Sequence, residues 1–146
     1  MKKGAVITTA AAVIFCMLLL VALSIAAPEL CRWYGDFRGI TEKTEKVIMI
    51  AFYICTLPAM ASLVSLLRIL DNIRREDPFK AENHKLMSFV SYCCIAVAVV
   101  TFFAGRYYMP MLFVTAAMIF IFLIVRVVRG CFISAMYLKE ENSLTI

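Results

Sequence analysis

Few side chains in this sequence are of the kinds that do chemistry, and their spacing gathers none of them into a catalytic set. His84 is the only histidine, so no histidine-based metal cluster can be built. Beside Lys85, at the expected start of a helix, it reads as a solvated or capping residue. The six cysteines are Cys16, Cys31, Cys55, Cys93, Cys94 and Cys131, and no C-x-x-C spacing occurs among them, which leaves zinc and redox readings with little support. Five lie in or beside apolar runs, where cysteine behaves as a small hydrophobe. Cys31 alone falls outside those runs, with no second cysteine near it, and an intermolecular disulfide is the option it keeps open. Serines and threonines recur (Thr56, Ser62, Ser65, Ser88, Ser91, Thr101, Thr115) without a base partner. Their expected role is a hydrogen bond to the preceding turn or across helices. The chain is expected to be no enzyme, with no catalytic residues, metal or cofactor.

Charge is as informative by its position as by its type. Within the apolar runs there is no Asp, Glu, Lys or His. Ionisable groups at mid-membrane are expensive and usually mark ion or proton pathways, so active transport by this chain alone is not expected. Arg126 and Arg129 interrupt only the end of the last run. They are candidate phosphate or headgroup binders, but snorkelling to the interface explains them as well. With Arg68, Arg74, Arg75 and Lys85 they form a basic set expected to contact anionic lipid, at about 1 kcal/mol per residue near the surface.

The elements that must position these residues are membrane helices. Of the 146 residues, 64% are hydrophobic and 17% charged, whereas a soluble domain carries roughly half and a quarter. Apolar runs cover Gly4 to Ala27, Val47 to Leu67, Met87 to Ala104, and Met109 to Val125 with a continuation past Arg126 and Arg129. Each approaches or exceeds the ~20 residues that cross ~30 Å of hydrocarbon as a helix, and none alternates as a barrel strand would. The expected fold is all-α, a single-domain bundle of four antiparallel transmembrane helices at about 4–27, 47–75, 80–104 and 109–138. Outer loops are expected at 28–46 and 105–108 and an inner loop at 76–79. The lysines at the start imitate a signal peptide, but the first run exceeds the usual 7–15 apolar residues of such segments and reads as a retained helix. Pro28 is expected to end it, having no N–H and restricting the residue before it.

Lys and Arg set the orientation. One side collects Lys2, Lys3, Arg68, Arg74, Arg75, Lys80, Lys85, Arg126, Arg129 and Lys139; the other collects Arg32, Arg38, Lys43, Lys46 and Arg106. Ten against five places both termini in the cytoplasm. The outer loop 28–46 carries four basic and four acidic residues. Its Trp33 and Tyr34, like Tyr107 and Tyr108 in the other outer turn, suit the headgroup level, and Gly35 and Gly39 are expected to break any helix there. In the inner loop, Asp77 can cap the following turn with Pro78 at its first position, and Phe79 is an apolar anchor. Small residues recur every four positions (Gly4, Thr8, Ala12; Ala51, Cys55, Ala59), a spacing that lets helices approach closely within the bundle or between chains. Pro58 should bend the second helix.

The string LLRILDNIRREDPFKAENHKLM, followed by SYCCIAVAVV, resembles the inner turn of a bacterial family of small four-helix membrane proteins of unknown function. Phe79, Glu82 and Asn83 match that family's F-x-x-E-N turn. The final LKEENSLTI resembles its acidic ending, with Leu144, Thr145 and Ile146 at the Leu-Thr-Ile positions. Glu76-Asp77 stands where members often have Gly, and Lys80 where they often have Ser or Thr. The family's genes often neighbour a small helix-turn-helix regulator. The resemblance therefore implies a multi-pass protein of the bacterial cytoplasmic membrane with a cytosolic partner, docked through Asp77, Pro78, Phe79, Glu82, Asn83 and the tail. No direct nucleic-acid binding is expected. The other reading is an accessory subunit of a transport or bacteriocin-immunity-type system, forming a homo- or hetero-oligomer in the lipid bilayer through its small-residue faces.

Overall fold

The computed structural model describes residues 3–75 and 81–145, and these form four helices: α1 (Lys3–Arg38), α2 (Glu42–Arg74), α3 (Ala81–Ala104) and α4 (Met111–Leu144). All four are long and apolar enough to cross a membrane. All four outrun the apolar stretches, α3 only at its start. At 1.5 Å per residue, the 36 residues of α1 extend about 54 Å, well beyond ~30 Å of hydrocarbon.

Two boundary expectations need correction, and each has a local cause. Pro28 does not end the first helix; α1 passes through it. A proline there leaves the Ser24 carbonyl without its intrahelical donor. The Tyr53 hydroxyl, reaching across from α2, donates to that carbonyl at 3.0 Å. The helix actually ends at Gly39, whose φ of 62° puts it in the left-handed region that glycine enters without strain. Ile40 N–H then reaches back to the Gly35 carbonyl at 3.1 Å, the six-residue bond of a Schellman ending. The expected outer loop of 28–46 is therefore mostly helix. Only Gly39–Thr41 separates α1 from α2, and Gly35 lies inside α1, buried.

At the other extreme, α4 continues past the expected end near 138 to Leu144. Lys139, Glu140 and Glu141 are good helix formers, and the Ser143 and Thr145 hydroxyls bond back to the Glu140 and Glu141 carbonyls. Between α3 and α4 the chain turns tightly. Gly105 N–H bonds the Thr101 carbonyl and Tyr108 N–H the Ala104 carbonyl. A Cβ at Gly105 would fall 2.6 Å from the Leu112 side chain, so glycine permits this approach.

Among the described residues, each helix comes within 8 Å, Cα to Cα, only of its neighbours in sequence: α1 with α2, α2 with α3, and α3 with α4. The core consequently sits on α3, where 44% of the most apolar window is buried, against 6% in each of the others. Its buried residues Asn83, Met87, Val90, Cys94, Val97, Thr101 and Ala104 follow steps of four and three, with Ser91 and Ala98 on a second line. That is a helix-packing seam built largely from small residues, which permit close approach where lipid supplies no hydrophobic drive between helices. Thr101 and Thr115 join α3 to α4 by their hydroxyls at 2.9 Å, and each also bonds its own preceding turn.

The surface that remains is large. The chain exposes 10363 Å², whereas a compact soluble monomer of this length would expose about 7,600 Å². Leucines, isoleucines and phenylalanines along α1 and α4 make up much of the excess.

Candidate functional site

Because α1 approaches only α2, a cleft is left between α1 and α4, with α2 and α3 behind it. It measures about 490 Å³, within the range of small-molecule sites. Leu23 and Ala27 of α1, Ala51 and Phe52 of α2, Val97 of α3 and Val114 of α4 give it an apolar lining. One acidic side chain, Glu45, stands at its end. Glu45 sits in the first turn of α2, and its Oε2 is packed against Gly35, 3.2 Å from where a Cβ would stand on that glycine. Gly35 thus lets the carboxylate lie against the α1 backbone. No basic side chain comes within 4 Å of it among the described residues; Lys46 is 3.9 Å from Glu42 and Lys43 lies 5.7 Å from the centre of the Tyr107 ring.

The same end of the cleft is tied across. The hydroxyls of Tyr34, on α1, and Tyr108, in the α3–α4 turn, are hydrogen-bonded to each other, their rings meeting edge to face at 6.3 Å. This bond, with burial second, pushes the Tyr108 phenol above its ordinary value, while Arg38 pulls the other way. Among the described residues it is the hydrogen bond that joins α1 to the turn between α3 and α4. Nothing in the sequence pattern singled it out: Tyr34 and Tyr108 were expected only as headgroup anchors, and Glu45 only as one charge in a neutral loop. The one available signal was Gly35 itself, a small residue on a face that continues from Ala27 and Cys31.

Most of the residues singled out in the sequence lie at the opposite end. Arg68 and Arg74 are exposed; Arg75 donates to Asp71 at 3.1 Å. Lys85 and Glu82 are exposed, as are Leu144 and Thr145. Arg126 is exposed, with its guanidinium 6.0 Å from the Phe122 ring centre. Arg129 donates its Nε–H to His84 Nε2 at 3.0 Å in a partly buried contact, so His84 here is an acceptor linking α3 to α4. Asn83 departs from expectation. It is 1% exposed and accepts from Asn72 Nδ2 at 2.7 Å, so its side chain joins α2 to α3 and is not available to a docking partner. A buried amide must find its hydrogen bonds inside, and the other helix supplied one. Asp77, Pro78, Phe79 and Ile146 lie outside the described residues.

A second groove, of about 500 Å³, opens at this end between the start of α3 and the last turns of α4. His84, Lys85, Tyr137, Glu140 and Ser143 line it together with Ile133 and Met136. Among the described residues no three of His, Cys, Asp and Glu come together as metal ligands would.

Residues 3–146 match the model of a family described as "Protein of unknown function (DUF2975)". No curated protein and no solved structure matches the chain.

Proposed function

We propose that this chain, which belongs to the DUF2975 family of proteins of unknown function, is a non-enzymatic, multi-pass protein of the bacterial cytoplasmic membrane that docks a cytosolic partner. The helices run antiparallel in this reading, with both termini inside. Cross-helix pairs support it: Tyr53 with Ser24, Asn72 with Asn83, Thr101 with Thr115 and His84 with Arg129. So does the ten-to-five division of basic residues.

The observation that carries the docking role is the groove of mixed polar and apolar lining between the start of α3 and the last turns of α4. Its lining combines Ile133, Met136 and Tyr137 with the charged Lys85 and Glu140 at a helix end, and Tyr and Met are among the residues enriched at protein interfaces. The partner in this reading is a cytosolic regulator, the helix-turn-helix protein implied by the resemblance being the first to try. Arg68, Arg74, Arg75, Lys85, Arg126 and Arg129 keep the same end at the anionic membrane surface.

In-cell photocrosslinking from Tyr137 and, separately, from Phe79 tests this. Capture of a cytosolic DNA-binding protein, abolished by Phe79→Ala or by deleting residues 143–146 while the chain still inserts, supports docking. Capture of lipid or of another membrane protein alone overturns it in favour of the accessory-subunit reading. One observation favours that second reading: Gly4, Thr8 and Ala12 form an exposed row on α1 where another helix could approach.

A further inference from the structure

The cleft between α1 and α4 has a chemistry that neither membrane insertion nor partner docking uses. We propose that it binds a single-chain amphiphile with a positively charged head, the chain lying among Leu23, Cys55 and Val97 and the cationic group against Glu45. This rests on the reading of the helices as membrane-spanning and goes beyond the docking role, which belongs to the opposite end.

Three features select this occupant. The first is shape. From Glu45 to Cys55, both on the cleft wall, ten helical residues extend about 15 Å, so the site is a slot for one extended chain with its head at one end. The second is access. Since α1 and α4 do not approach each other among the described residues, the slot is open along its side, and a lipophilic molecule can enter from the bilayer without crossing water. The third is charge. The acidic group in the lining is Glu45, and the nearby lysines are directed elsewhere, to Glu42 and to the Tyr107 ring. Trp33 and Tyr34 also line the slot, and aromatic faces attract a cation, most strongly where water is excluded. An anionic or neutral lipid would leave the carboxylate unused or repelled.

Glu45 has a second physical role, since a carboxylate in the first turn of α2 complements the positive end of the helix. That role affects stability alone and has no preference between ligands, which separates the two.

The experiment uses the full chain in phosphatidylglycerol nanodiscs, whose headgroup carries no ammonium group to compete, with empty nanodiscs as background. Equilibrium binding is measured for dodecyltrimethylammonium and for dodecyl maltoside, a neutral molecule with the same chain. Saturable binding that favours the ammonium compound is expected. Glu45→Gln should weaken it by about tenfold, between the worth of an exposed ion pair and a buried one, and leave the neutral probe unchanged. Val114→Trp, which fills the slot from the exposed α4 wall, should remove binding of both. Equal affinity for the two probes overturns the proposal and identifies the occupant as an ordinary bilayer chain. So does an equal effect of Glu45→Gln on both probes, or binding that survives Val114→Trp. A chain that fails to enter the membrane fraction at all would overturn the membrane reading instead.

Discussion

Single hydrogen bonds decide how α1 sits. Tyr53 takes over the carbonyl that Pro28 abandons, so Tyr53→Phe should cost about 1 kcal/mol, the scale of an interhelical hydrogen bond in lipid. In a Pro28→Ala background the backbone N–H returns and the same substitution should cost less. Unfolding in mixed micelles measures both, and an undiminished cost in the Pro28→Ala background would contradict this account of the helix. The Tyr34–Tyr108 pair gives a pH dependence whose sign is fixed by the raised Tyr108 phenol. Folded, Tyr108 holds a proton that the unfolded chain releases near the ordinary phenol value of about 10. The pair's contribution is therefore complete below that value and is lost as pH rises through the folded one. Ultraviolet titration should show one late-ionising phenol, absent in Tyr108→Phe. Neither residue pair was legible in the sequence, because each depends on which helix stands beside which. The same holds for Asn83: the sequence offers it as a docking residue of the F-x-x-E-N turn, and its bond to Asn72 depends on α2 standing beside α3.

At the level of the helices, the four spans were plain from composition, since uncharged runs near membrane length have few other uses. Their ends were not. Pro28 and the polar residues after it obey stop signals that hold for an isolated helix, and here a neighbouring side chain and a glycine ending displaced the stop by eleven residues, from Ala27 to Arg38. The central position of α3 was also hidden, because all its faces are apolar and the packing seam differs from the rest in residue size rather than polarity. That seam makes a prediction. Ala98 is 7% exposed, and Ala98→Leu should cost about 1–3 kcal/mol through overpacking. Val99→Leu, on the exposed neighbouring position, should stay within about 0.5 kcal/mol. Thermal melting in detergent compares the two, and equal effects would remove α3 from the centre.

For the molecule as a whole, the excess of apolar surface is the property that membrane insertion explains. The resemblance to an uncharacterised family holds over residues 3–146, and the four long apolar helices fit it. The expected orientation is tested by reporter fusions after Lys43 and after Ile146, which should report outside and inside respectively. The same side for both would sink the four-span topology. The two ends differ in what they carry: the Arg129–His84 pair and the groove between α3 and α4 at one, the tyrosine tie and the carboxylate-ended cleft at the other.

The serial contact pattern bears on how the protein is made. Each helix lies against the one synthesised just before it, so most of the packing can form in order as the chain leaves the ribosome, with little need for distant segments to find each other. The tie between Tyr34 and Tyr108 is the exception, joining positions 74 residues apart. Until the second pair of helices arrives, α1 is held by α2 alone. The cleft is therefore the last part of the molecule to be completed, and a nascent chain halted before residue 108 would carry every residue of its α1 wall, Tyr34 included, without the Tyr108 hydroxyl that Tyr34 bonds across its end.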